Sequence, residues 1–573
     1  MTGYPSIDKP WQKYYSQKQK NMTAPKGSMF DYLYEHNAMY PNDIAMEYYG
    51  RKFSYQELFR QIDKCCRNLS SLGIKKGDVV TVQAIPLPQV IVLIYALTKI
   101  GACGNMLYPD AKANDVVSSM EKTHSCLLIA VDVLLSAYEE DLPDFFTAPI
   151  ILLNVADQMS LILGLVARKK TSYKKKNHRL QTIRWCDFIR GDGLPYEENH
   201  EGVLPAFMLR TGGTTGIPKE VVLDSKGFNT VAEAVFYHGI SDEYTRQDNT
   251  LLLLPPFIAF GISTGIHNPL SIGTKLIISL DISPNAITHL VTKYKPHYIS
   301  AGVVQMEQLV NDLEKGKINL SYLKKLWVGG EAMNLAFEER LQSFLQNHGS
   351  SAIPLNGYGL TETTAGVIAE TMKVHKRGSA GIPFALCNMK VIDTETGEEL
   401  SYNTPGEVCL SSPGIMQGYY QNQQATDDVI ETVDGIRWLH TGDIGVISED
   451  GLLTITGRIK RIVVCKEGNI YHKVFPQLIE DQLAKISGVK EISIVGKPDT
   501  VAGNVLVAYV VPEKLEDFEQ ITKTLKSYCE NNLQSFEHPI EYIYKQELPR
   551  TLIGKVDFRA LEKEAMAENE QKA

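Results

Sequence analysis

The chain has no apolar run long enough to cross a bilayer. Its longest runs, at 90–97, 150–155 and 251–254, fall well short of the ~18 residues a spanning helix needs. It has no CxxC pair either: nine cysteines, an odd number (Cys65, Cys66, Cys103, Cys126, Cys186, Cys387, Cys409, Cys465 and Cys529), sit mostly among apolar neighbours and are expected to be reduced structural thiols. Positive charge is not in excess, since 58 Lys and Arg against 67 Asp and Glu leave a net charge of -9, which excludes a wholesale nucleic-acid binder. The first residues, MTGYPSIDKPWQKYYSQKQKN, are polar and lack the apolar core and cleavage site of a secretory signal, so the protein is expected in the cytoplasm. There is no internal repeat. What is present is the balance of an ordinary globular protein, 44% hydrophobic and 22% charged over 573 residues, enough for roughly three to five domain-sized units.

The first two thirds alternate helix and strand. QELFRQIDKCCRNLSSLGI places Leu58, Ile62, Cys65, Cys66, Leu69 and Leu72 at helical spacing. VVTVQAI reads as a strand, QVIVLIYALTKIGA as an apolar helix, and LLIAVDV, APIILLNVA and the segments 274–280, 297–303 and 323–330 as further strands. Such alternation implies α/β layers with largely parallel sheets, whose ligands collect at strand C-termini. From about Gly381 the pattern becomes short strands with turns (NMKVID, TETGEEL, GEVCLSS, GIRWLHTGD, GVISEDGLLTITG), and after GRIKR a small α/β unit follows. The expected fold is α/β: a large multi-layered N-terminal domain with parallel sheets and a β-rich subdomain, then a small mobile α/β C-terminal domain.

One segment is locally biased. Residues 159–179, MSLILGLVARKKTSYKKKNHR, join an apolar run to Arg168, Lys169, Lys170, Lys174, Lys175, Lys176 and Arg179. It reads either as a solvated surface insertion or as an interfacial helix whose cations meet anionic lipid headgroups.

The most informative segment is FMLRTGGTTGIPKEVVL, in which Thr211, Gly212, Gly213, Thr214, Thr215, Gly216 and Lys219 form a loop suited to phosphate. Glycines let backbone N–H groups converge on oxyanions, threonine hydroxyls add donors, and the lysine adds charge. It is not a GxxxxGK[ST] loop. Three more motifs follow: NGYGLTETT, with Asn356, Gly357, Tyr358, Gly359, Thr361 and Glu362; HTGDIG, with Asp443; and GRIKR, with Arg458 and Lys460. PRTLIGKVDFRAL then carries Lys555. This ordered set resembles the adenylate-forming superfamily, which includes acyl-CoA synthetases, luciferases and peptide-synthetase adenylation domains. The likeness runs from Phe53 to Leu561, and the TGGTTG variant is most similar to fatty acyl-CoA ligases.

The resemblance implies an N-terminal AMP-binding domain over 1–457, a hinge over 458–462 centred on Lys460, and a C-terminal lid over 463–573. It implies that Thr211–Gly216 and Lys219 hold ATP phosphates, that Gly330, Glu331 and Ala332 face adenine with Tyr358 stacked on it, and that Asn356, Gly357 and Gly359 belong to the same nucleotide site. Thr361 would donate to the α-phosphate, Glu362 would hold Mg2+, Asp443 would take the ribose hydroxyls with Arg458 beside it, and Lys555 would neutralise the reacting phosphorus. The catalytic set is therefore Lys555, Thr361, Glu362 and Lys219, with an acyl pocket of Phe257, Ile258, Gly302, Val303, Gln305 and Gly359. A carboxylate is ionised at neutral pH, so its attack on ATP needs no general base, only positioning and countercharge.

Departures from the family pattern carry information. Glu220 stands where Gly is usual, and Asp224 with Ser225 where Thr-His is common. Ile258 replaces the aromatic-like residue that usually follows Phe257, which favours an apolar acid because a buried second carboxylate would need a cationic partner. The segment RIVVCKEGNIYHKVFPQLIE has Lys466 and Glu467 for a Gly-Gly pair and a late Pro476; its cations Lys466, His472 and Lys473 would face CoA phosphates, a carrier's acidic helix, or solvent. The reading is an ATP- and Mg2+-dependent ligase of an apolar carboxylic acid to CoA. An acid:carrier-protein ligase and a catalytically silent nucleotide- or acyl-binding sensor stand as alternatives.

Overall fold

The computed structural model describes residues 2–171, 173–211, 219–314, 316, 318–331, 333, 335–467, 470–499, 502–551 and 555–570. Among them, two large sheets dominate. The first runs Ile382–Pro383, Ala365–Ala369, Pro354–Leu360, Lys325–Gly329, Tyr298–Ala301, Asn249–Leu252, Lys275–Ile278, Ile44–Tyr48, Arg51–Ser54, with a parallel centre and antiparallel edges. The second runs Gly418–Tyr419, Glu220–Asp224, Pro205–Arg210, Cys103–Leu107, Val79–Gln83, Leu127–Val131, Ile150–Leu153, Thr182–Arg184 and is parallel apart from its first two strands.

Local sequence explains the helices of the core. Ser54 caps Tyr55–Ser71 by accepting the N–H of Glu57 (3.2 Å), and the predicted apolar positions Leu58, Ile62, Cys65, Cys66 and Leu69 are all buried. Pro88 opens the helix Pro88–Ile100 and Gly101, at φ 73°, closes it in the left-handed conformation that glycine tolerates. Every residue of that helix is buried, because it packs against Met29–Asn37, Tyr55–Ser71 and the strand Cys103–Leu107.

The β-rich subdomain pairs Asn388–Ile392, Gly406–Ser411, Ile436–Ile447 and Ile430–Val433, with Leu453–Arg458 added to the long third strand. One expectation is corrected here. TETGEEL is a turn and not a strand, since Asp393 accepts the N–H groups of Glu395 (2.8 Å) and Thr396 (2.9 Å) and so bends the chain locally. The C-terminal unit comprises a hairpin, Val463–Glu467 with Ile470–Val474, and a sheet of Val489–Asp499, Gly503–Pro512 and Pro539–Tyr544, built round its own core of Ile479, Leu483, Ile494, Leu525 and Cys529. The expected α/β architecture, with parallel sheets and a small C-terminal domain, is the one found.

All nine cysteines are free thiols, six of them buried; burial pushes the Cys66 thiol up to about 12. Among the described residues, no helix is long and apolar enough to cross a membrane.

Candidate functional site

A cavity of about 1080 Å³ opens where the two sheets, the β-rich subdomain and the C-terminal unit meet. Thr211, Lys219, Phe257, Ile258, Gly302, Val303, Gln305, Gly330, Glu331, Gly357, Tyr358, Gly359, Thr361, Glu362, Arg458, Lys460 and Lys555 all line it. Gly212, Gly213, Thr214, Thr215, Gly216 and Ala332 lie outside the described residues. Asn356 and Asp443 are in the adjoining strands but do not line the cavity.

The phosphate loop joins two antiparallel strands, and its base is closed by the Thr211 N–H donating to the Lys219 carbonyl (3.0 Å). Lys219 Nζ lies 4.5 Å from the centroid of the Tyr419 ring, and the Tyr419 hydroxyl donates to Glu362 Oε1 (2.8 Å). Burial and the Glu362 carboxylate push the Tyr419 phenol upward, so it remains a donor. Glu362 occupies the short helical turn Thr361–Thr363, which is held by close backbone packing. A Cβ on Gly359 would fall 1.9 Å from the Ala365 carbonyl, and Thr364 and Ala365 both take positive φ, 58° and 90°. Strain of this kind is sustained only where surrounding contacts over-determine it; here the Thr364 hydroxyl donates to the Gly414 carbonyl (2.6 Å).

Asp443 is engaged on both carboxylate oxygens. Its register partner across the sheet is Arg458, whose Nε lies 2.7 Å from Oδ1, while Oδ2 accepts the Tyr358 hydroxyl (2.7 Å). Both carboxylate oxygens therefore have protein partners, and Tyr358 is tethered by its hydroxyl; burial, then Asp443, drive its phenol well above the ordinary range. Gly442, at φ 69°, gives the turn before Asp443 its left-handed step, and its N–H donates to Glu407 Oε1 (3.0 Å). The other Glu407 oxygen faces His440 Nδ1 at 3.2 Å, and that contact raises the imidazole pKa.

Lys555 enters from the C-terminal unit. The Thr551 N–H donates to its carbonyl (2.7 Å), and burial, then Arg458, hold its ammonium pKa below the ordinary lysine value, while Glu331, Asp443 and Glu362 act in the opposite sense. Burial also pushes the Glu331 carboxyl upward. Lys460 is likewise depressed, by desolvation and then by Lys219, Arg559 and Arg458. Lys219, Arg458, Lys460 and Lys555 thus share one cavity with the carboxylates Glu331 and Glu362, a set of cations that suits an anionic ligand. Arg461, beside Lys460, is tied to Glu480 and to the Ile494 carbonyl of the C-terminal unit.

The far end is apolar. Val235, Leu252, Leu253, Leu254, Phe257, Ile258 and Trp327 line it, Phe257 meeting Tyr108 edge to face at 4.9 Å between centroids. His238 also lines the cavity, and burial lowers its imidazole to about 4, so it is neutral. Its neighbours Phe236–Ile240, and the segment Gly261–His267, are π-helical turns, widened backbone often found at functional sites.

Sequence reasoning missed Tyr419 and Glu407, which carry no motif-level signal beyond a common GYY and GEV. Glu220 and Asp224, which depart from the family pattern, both have structural occupations. Glu220 is buried and ion-paired with Lys122, with Arg210 at 3.8 Å; Asp224 caps Ser225–Val235 by accepting the Gly227 N–H (2.8 Å). The cations after Lys460 do not line the cavity: Lys473 Nζ pairs with Glu395 (2.6 Å) and His472 stacks on Phe536 with ring centroids 3.9 Å apart.

Two parallel sheets and a β-rich subdomain closed by a small α/β unit over a cation-rich cleft make up the architecture of adenylate-forming enzymes. A family model described as AMP-binding enzyme matches residues 33–420, and one described as AMP-binding enzyme C-terminal domain matches 478–555; the chain belongs to this family, the AMP-forming ligases whose class includes the acyl-CoA synthetases. It is 24% identical over 570 residues to a long-chain-fatty-acid–CoA ligase of Bacillus subtilis (strain 168), covering 96% of this chain and 97% of that one. It is 27% identical over 553 residues to the protein of the same name from Salmonella typhimurium, covering 94% and 95%. Its fold matches a crystal structure of an anthranilate CoA ligase in complex with anthranoyl-AMP, with a TM-score of 0.78 at 19% identity over 96% of this chain and 100% of that one. The o-succinylbenzoate CoA synthetase of Bacillus subtilis gives 0.74 at 21% over 94% and 98%.

Proposed function

We propose that this enzyme activates an apolar carboxylic acid with ATP, forms an acyl-adenylate, and transfers the acyl group to the thiol of CoA with release of AMP and pyrophosphate. The observation that carries this reading is the division of one cavity: Lys219, Arg458, Lys460 and Lys555 gather at one end, and aliphatic and aromatic side chains line the other. A charged tail on the acid would lose its hydration among those apolar side chains.

In the first half-reaction a carboxylate oxygen attacks the α-phosphorus and pyrophosphate leaves. Lys555 and Lys219 place positive charge where the oxyanion develops, and Thr361 offers a hydroxyl, so acceleration comes from orientation and preorganised charge. Glu362 is a hard oxygen donor steadied by Tyr419, which fits Mg2+ bound by a carboxylate and substrate phosphates; when bound, the ion would neutralise phosphate charge. Tyr358 would flank adenine, and Asp443 would reach the ribose once Arg458 yields or shares its oxygen. In the second half-reaction the thiolate attacks the acyl carbonyl and AMP leaves. The unit beyond 458–462 would turn about Lys460 between the two steps, withdrawing Lys555.

The test is acid-dependent pyrophosphate release with Mg-ATP across fatty, aromatic and sterol-type acids, with and without CoA. CoA-accelerated release with an acyl-CoA product detected by mass is the expected result. A single turnover without thioester would point to a carrier-protein acceptor, and absence of release with every acid would overturn the reading.

A further inference from the structure

The helix Leu161–Lys170 inverts the usual arrangement of a surface helix, which turns its apolar stripe toward the core. Leu161 is 88% exposed, Ile162 78%, Leu165 64% and Val166 55%, and these four lie on one face because residues one, four and five apart share a side of a helix. The helix rests on the protein through Gly164, which is buried and whose Cβ, had it one, would stand 3.0 Å from the Ala156 carbonyl. Both ends are fixed. Met159 packs into the main core, the Ser160 N–H donates to the Tyr49 carbonyl (3.4 Å), Arg168 pairs with Asp157 (3.1 Å), and Asn154 Nδ2 donates to the Thr171 carbonyl (3.3 Å). The outward stripe is thus a held feature of the surface.

We propose that this helix binds the surface of an anionic phospholipid bilayer, lying in its plane with Leu161, Ile162, Leu165 and Val166 among the acyl chains. At ten residues it is about 15 Å long, half the ~30 Å hydrocarbon thickness, so it lies on a membrane and does not cross it. Lys169 continues the stripe one turn on and Lys174 is exposed just beyond. Arg168, Lys176 and Arg179 are matched by Asp157, Glu140 and Asp144, but among the described residues no ion pair engages Lys169 or Lys174. A long cationic side chain at the edge of an apolar stripe keeps its stem in the acyl region and its charge at the headgroups. The rest of the chain is acidic, with a net charge of -9, so this patch is a local reversal. A second copy docked on the same face would bring like charges together, whereas anionic lipid complements them. The same anchor adjoins the cavity: Tyr49, whose carbonyl holds Ser160, accepts the N–H of Leu280 on its hydroxyl (3.3 Å), and Leu280 lines the cavity.

The test uses the full chain without acid or nucleotide, so that its outcome is independent of the ligase reading. Sedimentation is measured with phosphatidylglycerol/phosphatidylcholine vesicles and with phosphatidylcholine alone. The chain should pellet with the former and bind the latter at least tenfold more weakly. Replacing the four most exposed apolar residues by serine, L161S/I162S/L165S/V166S, should abolish pelleting while leaving the thermal midpoint and turnover of a water-soluble acid unchanged. Lys169→Glu with Lys174→Glu should weaken binding by roughly tenfold or more, as each cation near a charged surface counts for about fivefold. Failure of the wild-type chain to pellet, or equal pelleting of the serine variant, overturns the proposal. So does a concentration-dependent dimer that the serine variant loses while vesicles stay unbound, which would assign the face to a second copy.

Discussion

Lys219 and Lys555 face the same end of one cavity and are held in opposite ways. Lys219 sits at the base of a hairpin between two strands of a large sheet, its ammonium over Tyr419 and its carbonyl bonded to Thr211. Lys555 comes from a unit with a core of its own and reaches the cleft from outside the large sheets, close to Arg458, Glu331 and Asp443. One half of the site is built into the body and the other is delivered to it.

The contrast predicts unequal consequences for the two halves. The largest is expected at Lys555: Lys555→Ala should slow acyl-adenylate formation by roughly 10²–10³-fold, the scale of losing one preorganised charge at a reacting centre. Thioester formation from chemically supplied acyl-adenylate should change little; an equal loss in both assays would show that the lysine is rooted in the site throughout.

The pH dependence sharpens the same point. Because burial holds Lys555 below the ordinary lysine value, its protonated, active form is present at low pH and lost as pH rises through that depressed value. Adenylation should therefore fall on the alkaline side earlier than an ordinary lysine would dictate, and Lys555→Arg should remove that limb from the rate profile while keeping partial activity.

At the joint, Lys460→Pro should spare adenylation and lower thioester formation by roughly tenfold or more, since a fixed φ impedes rotation about the segment between the two units. Equal loss in both half-reactions would end the rotation account. The smallest effect is expected in the built-in half. Tyr419→Phe removes one hydrogen bond to Glu362, about 1 kcal/mol, and should raise the Mg2+ concentration for half-maximal rate severalfold at unchanged thermal stability; no shift would leave Glu362 steadied by its backbone alone.

How much of this was legible depends on the kind of signal. Helices such as Tyr55–Ser71 and Pro88–Ile100 announce themselves by spacing and caps, and the parallel strands by apolar runs between them. The motif residues mark the cavity because charge and glycine are rare in such runs. TETGEEL was misread since alternation over a few residues cannot be told from a turn whose first aspartate bonds its own backbone. Tyr419 and Glu407 were invisible because their partners, Glu362 and Gly442, lie 57 and 35 positions away.

Two apolar helices show where the boundary falls. Local chemistry determined that PQVIVLIYALTKI and LILGLVARKK would both be helical, since propensity, capping and excluded backbone conformations act within a few residues. It likewise determined that position 258 carries an uncharged side chain. Only the tertiary structure decided that the first helix lies wholly within the core and the second faces outward on a single glycine, and that Asp443 shares its carboxylate between Tyr358 and Arg458. The reason is physical: burial and ion pairing depend on what other segments, outside the reach of local spacing, bring to the same few ångströms.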